Sequence, residues 1–446
     1  MTGKHSRKRI ASLFIIGLIA LLVAACGGGA NNKTEEPAQS GGNESTETGE
    51  KAPEDYKGEF VLWSWVQLYP EGLKAFNEKY PNIKIKYVEV HSEDVTKKLQ
   101  TTIASGGVLP DVIRIERAQK AKIFDMDILE NLETAPFNAD RSLLFDYDIP
   151  AFSKDGNLIA IPDDMAISGL AYIKSLAREY FGTDVPEELE AMFTDWDVFI
   201  EKGKEVTGKS NGKVKMISSL GSVWEIIKGQ RKASFFDGDT LNTEVLRERV
   251  ARLVQFRDAG IVGKLDQWTP AWNAAFGGND YIFAYSPVWM PHYVIGPNDK
   301  EDDRWALMVA PEGGFIRGGS SHGIPKGAPN AELGWKWIEF MSLTQEGAEA
   351  QKEDGVFTHY KPAYEDKEFT NWTWRNFGDQ NIGEKFFEDI SPVTTDVPEN
   401  VNDNYLDEVM NIIVQTLNKD EAFGVDQAME KIVQELKAKN PDIVVS

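Results

Sequence analysis

The sequence carries two patterns that would do chemistry in the right setting. "GKEVTGKS", Gly203 to Ser210, fits the phosphate-cradling loop of nucleotide hydrolases, and "GSSHG", Gly319 to Gly323, fits the nucleophile elbow of serine hydrolases. A phosphate loop must follow a buried strand and open a helix. Here the preceding "WDVFIEKGKEV" has helical spacing and "NGKVKM" reads as a turn, so nucleotide chemistry is rejected. An elbow must pass straight into a helix, which Pro325 and "KGAPN" prevent. The five histidines lack ligand spacing and no cysteine pair exists, so no metal and no cofactor are expected. "DGDTLN" from Asp237 begins like a calcium loop but has Leu241 where an oxygen ligand is needed. The remaining chemical signal is aromatic. Trp63 and Trp65 end the apolar run "FVLWSW", and alternation along a strand would turn both indoles to one face where the chain leaves the sheet.

The elements that must position these residues follow from periodicity. "EFVLWSW" and "IKIKYVEV" read as strands, as does "DVIRI", and helices lie between and after them. The first helix starts at Pro70, and the second is expected to be capped by Ser92 and to end at Gly106–Gly107. This β-α-β-α-β order predicts a doubly wound, largely parallel sheet, whose ligands lie at the carboxyl ends of the strands. Later amphipathic runs, among them "LDEVMNIIVQTL" and "VDQAMEKIVQEL", are core faces.

At 446 residues, 41% apolar and 27% charged, the chain is long enough for two lobes. Its net charge of −23 argues against nucleic acid as a partner, because such binders cluster Lys and Arg. Lys4, Arg7, Lys8 and Arg9 precede "IASLFIIGLIALLVAAC", the layout of a secretory signal. "VAAC" ending at Cys26, the only cysteine, resembles a bacterial lipobox, so residues 1–25 are expected to be removed and Cys26 lipidated. Residues 26–55 then form a tether too poor in apolar side chains to fold. The sequons at Asn43 and Asn371 carry little meaning beside a bacterial lipobox.

Taken in order, the lipobox and tether, "FVLWSW", "FNEKYPNIKIKY", "GGVLPDVI", "IAIPDDMAISGLAYIKSL", "FTDWDVFIEKGKEV" and "GWKWIEFMSLTQEGAEAQKEDGVFTHYKPAY" resemble the extracellular solute-binding proteins of sugar ABC transporters, the maltose-binding-like family. The resemblance implies an α/β, two-lobe periplasmic-binding-protein-like fold of type II, each lobe a doubly wound, mostly parallel sheet. By it the first lobe comprises 56–160 plus 311–356 and the second 161–310 plus 357–446. Hinge crossings are expected near "AIPDD", "LMVAPEG" and "GVFTHY". The implied ligand is an oligosaccharide, held between the lobes and passed to permease subunits at the outer face of the cell membrane or in the periplasm. A monomer is expected, and no turnover.

A sugar presents a C–H face that an indole covers and a rim of hydroxyls that polar groups bind. On that basis the resemblance implies ligand contacts at Trp65 and Trp63, of which Trp65 is favoured, since Trp63 could equally cap the core. Arg114 and Glu116 end the third strand, with a surface ion pair as the alternative. Asp163 and Asp164 stand at the first crossing, with a helix cap as the alternative. Trp224 and Trp289 occupy places where the second lobe offers aromatics, and Ser320 and His322 lie beside the cleft. Trp268 and Trp272 are lesser candidates, while Trp335, Trp337, Trp372 and Trp374 read as structural. Arg114, Arg117, Arg231, Arg317 and His322 would favour an acidic sugar if several of them converged. Two other functions remain open: a surface-anchored lyase or glycosidase, needing a carboxylate pair at fixed separation, and a sensor presenting bound sugar to a membrane signalling partner.

Overall fold

The computed structural model describes residues 51–445; the expected leader, Cys26 and the expected tether as far as Glu50 lie outside the described residues. The strands that position the site are β1 (Gly58–Ser64), β2 (Ile83–Glu89), β3 (Val112–Glu116), β4 (Ile161–Asp164), β5 (Ile167–Ile173), β6 (Lys215–Ile217), β7 (Tyr281–Pro287), β8 (Trp305–Met308), β9 (Phe315–Ile316) and β10 (Ser320–Gly323). The helices around them are α1 (Pro70–Lys79), α2 (Ser92–Ala104), α3 (Arg117–Asp125), α4 (Trp196–Lys209), α5 (Leu220–Gly229), α6 (Thr243–Asp258), α7 (Pro270–Ala275), α8 (Ala331–Leu343), α9 (Gln345–Glu353), α10 (Val401–Lys419) and α11 (Val425–Lys439).

Two sheets result. The first runs β2-β1-β3-β10-β4, and the second runs β8-β5-β7-β6 with β9 also paired to β5. This is the expected α/β, type II architecture, with more mixed pairing than expected. Parallel pairing covers β2, β1 and β3 in the first sheet and β6 with β7 in the second. The remaining pairs are antiparallel. The cause is topological: β10 enters the first sheet directly from the second, without the helical crossover that a parallel partner needs.

Alternation sets the two faces of the first sheet. Phe60, Leu62 and Val112 face a core shared with Phe76 of α1 and with Trp335, Trp337 and Met341 of α8. Trp63, Ile113 and Ile115 face the opposite core, with Val95 and Leu99 of α2 and Ile123 of α3. In the second sheet Tyr172, Phe283 and Tyr285 share a core with Phe199, Phe256, Trp272, Leu406 and Ile432. One helix start departs from expectation: His91, not Ser92, precedes α2, and no side chain caps it.

Three segments join the sheets. The first is Met165–Ala166 between β4 and β5. The second, expected near "LMVAPEG", is observed later, at Arg317–Gly319. β8 and β9 both still pair with β5, which keeps the chain in the second sheet through Ile316. The third leaves α9 and brings the Phe357 carbonyl to the Met165 amide at 2.7 Å. Of the two rejected motifs, the first is helical as its spacing implied, and the second, expected as a loop or turn, is a strand. "GKEVTGKS" lies almost wholly within α4, with Gly203 packed closely on Met216 and Ile261, and "SSHG" is strand β10.

Candidate functional site

The short strand β3 carries Arg114 at its middle, on the face opposite Ile113 and Ile115, and register sets it beside His322 of β10. Its guanidinium is buried and gathers groups from the strand ends that flank two of the joining segments. Nη2 lies 2.7 Å from Asp163 Oδ2 and 3.2 Å from Asp164 Oδ1, and Nε donates to Ser320 Oγ at 2.9 Å. Ser320 Oγ in turn donates to Asp164. The Tyr69 hydroxyl accepts from Arg114 and donates to Asp163 Oδ2 at 3.3 Å. Gln351 of α9, just before the third segment, donates to Asp163 Oδ1 at 3.2 Å. One cation thus ties the strand ends of the first sheet to the segments that lead into the second.

Burial penalises every charge in this cluster; the ion pairs outweigh it at Arg114 and Asp163 but not at Asp164 or His322. It works against the Asp163 carboxylate, yet Arg114 and the hydrogen bonds from Tyr69 and Ser320 hold its pKa below the usual carboxylate range. Burial raises Asp164, and Asp163 alongside adds to the effect in spite of Arg114. Arg114 itself, disfavoured by burial, is kept charged by Tyr69 and the two carboxylates. His322 is pushed down to about 4 by burial, its Nδ1 lying 3.7 Å from Asp163 Oδ1, beyond hydrogen-bond distance. Its folded pKa lies below its unfolded one, so the unfolded chain binds the extra proton between these values. Stability contributed at neutral pH is therefore lost as pH falls from about 6.5 towards 4. His322→Asn should flatten the loss across that window by on the order of 3 kcal/mol, read from urea unfolding at pH 7 and pH 4.5. Parallel curves for variant and parent would contradict this reading.

A second charged group lies between α3, at the first sheet, and α5 and α10, at the second. Arg117 of α3 reaches Asp396 Oδ1 at 2.6 Å and Glu399 Oε2 at 3.3 Å, both just ahead of α10. Arg231 meets Glu399 Oε1 at 3.2 Å, Lys228 meets Asp407 at 2.8 Å and Arg317 meets Glu225 at 3.1 Å. Glu116 caps α3 by accepting from the Ala118 amide at 3.0 Å, and burial pushes its pKa up to about 7 against the pull of Arg317. These side chains line one narrow cleft.

Residues 72–375 match the family described as bacterial extracellular solute-binding protein, more than half of the chain. The chain belongs to that family. Among curated relatives, it is 26% identical over 280 residues to the lactose-binding protein of Rhizobium radiobacter, covering 58% of this chain and 62% of that protein. It is 21% identical over 472 residues to the arabinooligosaccharide-binding protein of Bacillus subtilis strain 168, covering 96% of this chain and 99% of that one. A solved extracellular solute-binding protein of family 1 superposes with a TM-score of 0.74 at 20% identity, over 85% of this chain and 99% of the other. The galacto-N-biose/lacto-N-biose I-binding protein of a Bifidobacterium longum ABC transporter does so with 0.67 at 17%, over 87% and 99%. At these identities the superpositions speak for the fold.

Within this solute-binding protein, the residues singled out from sequence divide into two sets. Arg114, Asp163, Asp164, Ser320 and His322 converge in the buried cluster, and Glu116 borders the charged cleft. Trp65 lies just past the end of β1, half-buried, its ring 5.4 Å from the Arg114 guanidinium. Trp289 follows β7 and is also half-buried, its Nε1 edge against Gly318 of the second joining segment, whose φ of 82° is one a glycine adopts freely.

Two residues are not brought there. Trp63 is buried among Val95, Leu99 and Ile123, with Lys98 Nζ 4.2 Å above its ring, because β1 stops at Ser64 and Trp65 no longer shares its face. Trp224 is 4% exposed and stacks on Phe235 at 6.0 Å within the core of the second sheet. Sequence reasoning missed Tyr69, Glu225, Asp396 and Glu399. Glu225 had a signal: it follows Trp224 on α5, where one residue's turn separates an inward side chain from an outward one. Asp396 and Glu399 had none, being distant in sequence from the arginines they meet.

Proposed function

We propose that this solute-binding protein captures a neutral carbohydrate between its two sheets and hands it to the permease of an ABC transporter. The two cores act as lobes that close over the sugar, hinged at the three joining segments. The observation that carries the reading is the pairing of every arginine at the site. Arg114, Arg117, Arg231 and Arg317 each already meet a carboxylate, and His322 is held neutral at physiological pH. The arginines are thus already engaged, whereas paired Arg and Asp or Glu side chains keep lone pairs and N–H groups that suit hydroxyls. The half-buried indoles of Trp65 and Trp289 supply the flat surface that a sugar's C–H face needs. The sugars after which two relatives are named, lactose and arabino-oligosaccharide, are neutral and support the same chemistry. The "VAAC" sequence supports anchoring through a lipid on Cys26, with the folded part held outside the membrane.

A thermal-shift screen tests the proposal, since a ligand that binds only the folded state raises apparent stability with its concentration. Neutral oligosaccharides are expected to raise the melting temperature in a dose-dependent way, and uronic-acid oligosaccharides of the same length to leave it unchanged. A response confined to the acidic set would contradict the reading.

A further inference from the structure

Among the described residues, Trp268 is the one tryptophan that is more than half exposed, at 52%. It also has a φ of 64°, a left-handed conformation that a bulky side chain adopts only at a cost. A glycine there would remove the backbone cost and the exposed apolar ring together, so folding alone does not account for this residue. Its surroundings hold it in place. Thr269 caps α7 by accepting from the Trp272 amide at 3.3 Å, which fixes the backbone immediately after Trp268. The Trp268 ring packs at 5.1 Å on Trp272, which is buried, and lies nearly parallel to Trp289, 26° between planes and 6.3 Å between centroids.

Polar groups continue from this pair towards the cleft. Gln267, immediately before Trp268, accepts from the Tyr285 hydroxyl at 3.3 Å and packs its amide nitrogen close to Gly221 at the start of α5. Tyr285 in turn lies beneath the Arg317 guanidinium, 6.0 Å from ring centre to charge, and Arg317 meets Glu225. An exposed indole, a second indole alongside it and a planar amide beside them offer the two surfaces of a sugar-binding position: a flat apolar face and fixed partners for rim hydroxyls.

We infer that Trp268 forms, with Trp289, an outer position that takes a further ring of a neutral oligosaccharide whose inner ring lies against Trp289. This rests on the carbohydrate reading above and adds to it that the solute is a chain, its length sensed at Trp268. The test is titration calorimetry of the parent protein and of Trp268→Gly with galacto-, arabino- and malto-oligosaccharides of one to five units. Glycine keeps the backbone conformation, so the ligand-free melting temperature is expected to stay level or rise. Affinity for the longest ligand that binds should fall about tenfold, equivalent to about 1.4 kcal/mol, while the shortest binds within about twofold of the parent. Trp268→Phe should recover part of the loss for the long ligand. Equal losses at every length, or unaltered affinity at every length, would overturn the inference and leave the receptor reading standing. Failure of the parent to bind any sugar in the series would overturn both.

Discussion

Replacing Arg114 with methionine is expected to lower the unfolding free energy by about 3–5 kcal/mol, the cost of leaving buried carboxylates without their counter-charge. Asp163 is fully buried and Asp164 nearly so, and both lie within ion-pair distance of the same guanidinium. Without it Asp163 would keep only the neutral donors Tyr69 and Gln351. Methionine preserves most of the side-chain volume, so a packing defect contributes little. Adding Asp163→Asn and Asp164→Asn to Arg114→Met should restore much of the loss, because the charges that needed compensation are then gone. Urea unfolding of the single and triple variants reads both effects. A loss under about 1 kcal/mol in the single variant, or no recovery in the triple, would show that the cluster is held by something other than charge.

Trp289→Ala is expected to weaken sugar binding by about 30-fold or more, the loss typical when a central aromatic anchor is truncated. The ring is half-buried against Gly318 in the second joining segment, so the bound sugar would lose an apolar face at the place where the lobes meet. Truncation at Trp63 gives the contrast. That ring is sealed in the core between the first sheet and α2, so Trp63→Ala should cost stability, and binding should change only as far as folding does. Calorimetric affinities set beside melting temperatures separate the two behaviours. Equal affinity losses in the two variants would remove the distinction between a ligand-facing and a core tryptophan.

That distinction also marks how far the sequence could be read. The alternation in "FVLWSW" and "IKIKYVEV" set the strands, because a period of two is a local property of a chain buried on its faces. The end of β1 was not legible. Ser64 Oγ donates to the Val66 carbonyl at 2.8 Å and accepts from its amide at 3.1 Å, a local turn that halts the strand before Trp65 and parts the two indoles. Asp163 and Asp164 could be singled out because the family resemblance puts them at the first crossing. Their partner could not, since Arg114 is far away in sequence and the register that joins them passes through β10. The second joining segment fell later than expected because β9, only two residues long, gives almost no periodic signal before Gly318 and Gly319.

A receptor of this kind captures an intact neutral oligosaccharide reversibly, at one site on the chain. Titration calorimetry of the mature protein with the sugar that gives the largest thermal shift, followed by recovery and sizing of that sugar, tests it most directly. One saturable site per chain and a ligand returned at its original length are the expected result. Heat that never saturates, or a sugar returned shortened or unsaturated, would contradict it.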